Sequence, residues 1–131
     1  MTQALRLQLK QWGRIAYPGE ACGLLLGREY GSLHAVERVR SANNLDHEPG
    51  RYVLDPLDYL AAEDESRGSG LTVLGVWHTH PDHPARPSET DRTQAWSGWS
   101  YVIVSIVEGE ARELRSWRLQ GRRFIEEEVR G

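Results

Sequence analysis

The sequence predicts an α/β fold, a single domain over residues 1–131 with about six strands and three helices. Three observations carry that expectation. Short apolar runs of strand length recur at 22–26, 71–77 and 101–107, bounded by Gly, Pro or charged residues. Between them lie segments with helical spacing and helix-entry signals. No internal repeat or low-complexity linker divides the chain.

Leu5, Leu9, Trp12 and Ala16 recur at helical spacing up to Tyr17 and Pro18, which predicts a first helix. The alternation of Leu5, Leu7 and Leu9 leaves a strand start open as well. Residues 22–26 form a short buried strand and 33–39 a more amphipathic one. The polar segment 41–50 has no periodicity and reads as a loop long enough to border a substrate groove. Asp55 before Pro56 is a cap followed by proline at the first helical position, and Leu57, Leu60 and Ala61 give that helix its apolar side. Gly68, Ser69 and Gly70 end it. A strand at 71–77 follows, then a short helix at 89–96. The nearly continuous apolar content of 101–107 predicts a central strand. Two further strands lie around 111–119 and 122–129, with Gln120 and Gly121 as their turn.

The chemistry concentrates after the strand at 71–77. His78 and His80 are two residues apart, so in a strand both imidazoles share one face. Prolines 81, 84 and 87 stiffen the connection that follows, and Ser88 has the form of an N-cap. Asp91, in the first helical turn, would then return towards the imidazoles. Two histidines and a carboxylate make a three-ligand set that leaves the fourth tetrahedral position of Zn²⁺ open for water. Either histidine alone also fits a hydrogen-bonded or exposed ring, and Ser88 with Asp91 also fits a capping pair. Upstream, Glu20 stands just before a buried strand; it is either a surface charge or the non-ligand base that such a water needs.

Composition narrows the function classes. Sixteen basic against 19 acidic side chains give a net charge of −3, and the arginines are scattered, so nothing invites nucleic acid. No segment approaches the ~20 apolar residues of a membrane span and no signal-peptide core is present near Met1. A single cysteine excludes an intrachain disulfide, and a cytoplasmic location is the expectation.

Glu20, then His78-Thr79-His80, seven residues, Ser88, two residues and Asp91 resemble the complete signature of the JAMM (MPN-plus) metallopeptidases. The runs at 18–27 and 85–91 are similar to their small prokaryotic members, and the likeness extends from about residue 17 to 105. It implies an MPN-like, cytidine-deaminase-like fold, a mixed β-sheet flanked by helices. It implies one Zn²⁺ per chain on His78, His80 and Asp91, with Glu20 as general acid/base. Ser88 would hydrogen-bond the bound water or the oxyanion of the tetrahedral intermediate. Members that have lost catalysis usually lack ligand positions, and this chain lacks none. It also has little room for the insertions of the eukaryotic deubiquitinases.

The resemblance further implies a substrate: a ubiquitin-like β-grasp sulfur-carrier protein, from which residues after a C-terminal Gly-Gly are removed. An isopeptidase freeing a ubiquitin-like modifier from lysine differs only in the leaving amine. A module that keeps zinc and binds a ubiquitin-like partner without cutting it is the non-enzymatic alternative, and a facial triad for non-haem iron is a third. Cys22 reads as a small core hydrophobe, with a histidine-activated nucleophile as its alternative. His83 reads as a solvent-facing loop residue, His34 and His47 receive no role, and Trp96 with Trp99 marks a candidate exposed apolar corner.

Overall fold

The computed structural model describes residues 1–48 and 50–131; Pro49, within the loop expected at 41–50, lies outside the described residues. The elements run α1 (Gln3–Ala16), β1 (Cys22–Tyr30), β2 (Leu33–Ala42), α2 (Pro56–Ser69), β3 (Thr72–Pro81), α3 (Glu89–Gln94), β4 (Ser100–Val107), β5 (Glu110–Gln120) and β6 (Arg123–Glu127). The six strands form one mixed sheet in the order β2-β1-β3-β4-β5-β6. Only β3 and β4 run parallel, and α3 lies in the long connection that parallel neighbours require. No helix among the described residues is long and apolar enough to cross a membrane.

The N-terminal segment is helix, not strand. Thr2 caps α1 by accepting the Leu5 N–H, which leaves Leu9 and Gly13 facing the sheet and Leu7 half exposed. A Cβ at Gly13 would come within 2.9 Å of Ile106 and Thr79, so the glycine lets the helix lie close on β3 and β4. Trp12 stacks on Trp77 with ring centroids 5.4 Å apart.

The sheet buries both faces. Leu9, Leu25, Leu74, Trp77, Val102, Val104 and Ile106 fill the α1 side; Cys22, Leu24, Leu26, Tyr52, Ala62, Val76 and Tyr101 fill the α2 side. A bulge between Leu25 and Leu26, opposite Gly75 and Val73, resets the alternation of β3. Beyond it Trp77 and Thr79 point to α1 while Val76, His78 and His80 point to the α2 side, so the two histidines continue an apolar face.

The rotation of α2 differs from the expectation. Leu57 and Leu60 are 72% and 54% exposed, and the inward residues are Ala62 and Ser66. Polar ties set this rotation. Asp58 accepts the Asn43 N–H at 2.8 Å, and Glu65 pairs with Arg38 and Arg40 of β2 at 3.2 and 2.8 Å. The predicted cap holds, with Asp55 accepting the Leu57 N–H ahead of Pro56.

Strand limits differ where polar residues conceal them. β1 continues past 26 to Tyr30 because it pairs with β2 as a hairpin, with Arg28 against Glu37 at 2.8 Å. α3 stops at Gln94, since Ala95 is extended. His34 acquires a structural place: its Nδ1 meets Ser100 Oγ at 2.8 Å, and the Ser100 and Ser116 hydroxyls both donate to Glu127 of β6 at 2.7 Å.

Gly75 stands where the bulge brings β3 against β4, and a Cβ there would lie 1.8 Å from the Ser100 carbonyl oxygen. Gly75→Ala is therefore expected to destabilise the protein by at least about 2 kcal/mol through forced strand separation. An unchanged denaturant midpoint would show that the two strands can yield there.

Candidate metal centre

The site lies at the C-terminal end of β3, where an open α/β sheet gathers its loops. Antiparallel pairing sets Cys22 opposite His78. One step further the strands are tied twice: Thr79 N–H donates to the Ala21 carbonyl at 3.0 Å, and Ala21 N–H to Thr79 Oγ1 at 2.9 Å. The next position brings Glu20 beside the histidines. Glu20, His78 and His80 are all buried, and one ligand-type atom from each lies within 4.8 Å of the others.

The two nitrogens of His78 have different neighbours. Nδ1 lies 3.0 Å from Glu20 Oε1; Nε2 faces Asp91 Oδ2 at 3.8 Å. A carboxylate only accepts, so Nδ1 carries a proton and donates it to Glu20. Both His78 Nε2 and Glu20 Oε2 are buried without a hydrogen-bond partner among the described residues.

His80 points Nδ1 at the Pro84 carbonyl, 2.9 Å away, and Nε2 at Asp91 Oδ2, 3.0 Å away. Asp91 arrives as predicted, in the first turn of α3. Ser88 Oγ accepts the Asp91 N–H at 3.0 Å and the Ser88 N–H donates to Asp91 Oδ2 at 2.9 Å, a reciprocal capping box. The capping and metal readings of this pair are thus compatible, and the Ser88 hydroxyl proton remains available to a further acceptor.

The loop that delivers Ser88 and Asp91 is held by more than its prolines. Asp82 N–H donates to the Ile106 carbonyl at 2.7 Å, and Ser105 Oγ donates to the His83 carbonyl at 2.6 Å. Ala85, fully buried, gives its N–H to Glu113 and takes the Trp117 indole N–H, both at 3.0 Å.

Charge is balanced internally. Burial works to lower the His80 pKa, but its bonds to Asp91 and the Pro84 carbonyl outweigh it and hold the imidazole above its ordinary 6.5. Burial likewise works to raise the Asp91 carboxyl. The hydrogen bond from His80, nearby His78 and the Ser88 N–H overcome it, bringing the value to about 2.

Of the five predicted residues, Glu20, His78 and His80 form the close group; Asp91, expected as a ligand, lies against it with Oδ2 3.0 Å from His80 Nε2, and Ser88 reaches it through Asp91. Two neighbours carried no sequence signal. Tyr52 stacks on His78 with centroids 4.4 Å apart and planes 24° apart, and Asn44 donates to the Glu20 carbonyl at 3.0 Å. Cys22 takes the place of a core hydrophobe: it is 1% exposed, and burial pushes its thiol up to about 12. A cavity of about 640 Å³ lies beside Glu20, bordered by Asn44, His47, Pro81 and His83. Trp96 is 57% exposed and packs with Trp99 and Tyr59, as expected for an apolar corner.

The fold is a mixed sheet with helices on both faces, and a His-His-carboxylate cluster at a strand end makes it a candidate metal-binding domain. A JAB1/MPN domain protein from Archaeoglobus fulgidus shares the fold at TM-score 0.58, with 18% identity over 94% of this chain and 86% of that one. A Desulfitobacterium hafniense protein of known solution structure superposes at TM-score 0.87, with 37% identity over 97% of this chain and 88% of that one. The family model described as prokaryotic homologs of the JAB domain matches residues 2–120, and the chain belongs to that family. It is also 34% identical over 61 residues to a desampylase of Pyrococcus furiosus, a match over 47% of this chain and 41% of that relative's length.

The two pKa shifts fix a stability window for the metal-free protein. The raised His80 contributes fully below 6.5 and loses its contribution as pH rises through its folded value; the depressed Asp91 contributes above 3.8 and loses it as pH falls towards 2. Urea midpoints should therefore peak between about pH 4 and 6.5. Asp91→Asn should remove about 3 kcal/mol there and flatten both limbs. A variant with the same profile as the parent would show that the pair is not a source of stability.

Proposed function

We propose that the protein is a zinc-dependent peptidase or isopeptidase that hydrolyses the amide bond after the C-terminal Gly-Gly of a ubiquitin-like or sulfur-carrier protein. Membership of the prokaryotic JAB family and the likeness to a desampylase support the reaction class. One observation carries the metal reading: two buried atoms without partners, His78 Nε2 and Glu20 Oε2, sit in one cluster with His80 and Asp91. An unpaired buried imidazole nitrogen is costly, and a divalent cation on His78 Nε2 would satisfy it, leaving Glu20 Oε2 as an acceptor for a proton.

His78, His80 and Asp91 would hold one Zn²⁺, with Asp91 on the Nε2 side of both rings. Glu20 lies on the opposite nitrogen of His78, which favours it as an orienting and proton-carrying group over a fourth ligand. When bound, zinc supplies Lewis-acid polarisation of a carbonyl and acidifies water. Glu20 Oε1 keeps the His78 ring in register, while Oε2 takes the water's proton and passes it to the leaving nitrogen. Ser88, with its hydroxyl proton free, donates to the developing oxyanion. The extended tail lies in the groove between residues 44–48 and 81–83, where glycines permit close backbone approach.

Glu20→Gln separates these functions. The amide oxygen can still accept from His78 Nδ1, whereas an NH₂ in place of Oε2 takes no proton. Zinc content should stay at about one per chain, as a three-ligand site implies, while turnover falls at least ~10²–10⁴-fold. Mass spectrometry of a ubiquitin-like carrier extended beyond Gly-Gly, and of one linked to lysine, reads the cut directly. Loss of zinc in the variant would make Glu20 a ligand and the centre a closed one. A zinc-loaded parent that binds the carrier and cuts neither form would be a binding module instead.

A further inference from the structure

The connection between β2 and α2 reaches into the metal centre. Asn44 saturates its side-chain amide within it: Nδ2 donates to the Glu20 carbonyl at 3.0 Å and the Arg51 carbonyl at 3.2 Å, and Oδ1 accepts the Asp46 and Val53 N–H groups, both at 2.9 Å. Arg51 and Val53 are the residues on either side of Tyr52. The same amide therefore fixes the backbone flanking Tyr52 and ties it to Glu20. A bridge between Asn44 and Leu54 and a bond from Leu45 N–H to the Val53 carbonyl at 2.8 Å close this small hairpin.

We propose that Tyr52 is a positioning residue of the metal centre, its ring fixing the plane of the His78 imidazole, with Asn44 as the lock that holds it in place. An imidazole swings over a broad, roughly two-fold torsion about its last side-chain bond. Glu20 restrains one edge of the His78 ring through Nδ1, and a bond to an edge leaves the ring free to tilt about it. Tyr52 covers a face, nearly coplanar at 24°; the other aromatic neighbour, His80, stands at 58° with centroids 5.0 Å apart and does not define a plane. Edge and face together aim Nε2 at Asp91. The stacked face of the Tyr52 ring is the contact on which this role rests.

The inference rests on the metal reading, and its test separates the two. Histidine side-chain nitrogen–proton NMR of the metal-free protein reports the His78 tautomer and the ring-current shift from Tyr52; chelator competition with Zn²⁺ reports affinity. Tyr52→Phe should keep the Nδ1–H tautomer, the upfield shift and the affinity to within about threefold. Tyr52→Met fills the same space without a flat ring and should lose the shift, average the tautomers and weaken zinc about 10–100-fold, the usual cost of losing a group that orients a ligand. Should Tyr52→Met fail to fold, Asn44→Ala decides, and the same losses are expected in smaller degree. A folded Tyr52→Met, or in its place Asn44→Ala, with parental tautomer and affinity overturns the proposal. Equal losses in the Phe and Met variants overturn it in favour of the hydroxyl. A parent protein that binds no zinc yet shows the Tyr52-dependent His78 signals sinks the metal reading alone.

Discussion

The register between β1 and β3 is the constraint on which the site depends. Glu20 is separated from His78 by 58 residues, and no local signal makes them meet. What joins them is the antiparallel pairing of Cys22 with His78, reinforced by the two bonds between Ala21 and Thr79. A slip of one residue would turn His78 and His80 to the α1 face, where Trp77 and Leu25 now pack. The apolar surfaces forbid that slip, because Trp77 and His78 cannot exchange faces without exposing a buried indole and burying an uncompensated imidazole. Core packing on both sides of the sheet thus sets the position of a carboxylate to within hydrogen-bond reach of a histidine.

A second constraint brings α3 home. Parallel β3 and β4 demand a crossover, and the site occupies its first half. Rigidity there comes from both directions along the chain. The prolines limit the backbone of 81–87, while side chains two strands away, Glu113 and Trp117 of β5, seize Ala85 by its N–H and its carbonyl. The Pro84 carbonyl is then free to orient His80, and the capping box fixes Asp91 against both rings. A side-chain cluster built this way is as stiff as the sheet that supports it.

Much of this was legible in the residues. The β3 run, the His78–His80 spacing, the Ser88 cap and the Asp55–Pro56 entry are local patterns, and local patterns report local structure. The rotation of α2 was not legible, since Leu57 and Leu60 imitate a core stripe while Asp58 and Glu65 determine which side faces inward through partners on distant segments. Tyr52 escaped notice for a similar reason. It sits in a stretch without periodicity, and its importance derives from Asn44, eight residues earlier, folding the loop back. Ala85 carries no chemistry in its side chain; its backbone is what the structure uses.

The electrostatics of the cluster connect folding to loading. Two carboxylates buried at hydrogen-bonding distance from two imidazoles need positive charge nearby, or each pays a desolvation cost of several kcal/mol. In the metal-free chain burial works against a proton on His80, but the bonds to Asp91 and the Pro84 carbonyl outweigh it, so the ring holds its proton more firmly than a free imidazole does. Under the proposed function a divalent cation at His80 Nε2 would compete with that proton, since a ligating imidazole is neutral. His78 differs: its Nδ1 donates to Glu20, and its Nε2 has no hydrogen-bond partner among the described residues. The two histidines, two residues apart on one strand face, are therefore held differently: His78 by Glu20 on Nδ1 alone, His80 by a hydrogen-bond partner on each nitrogen.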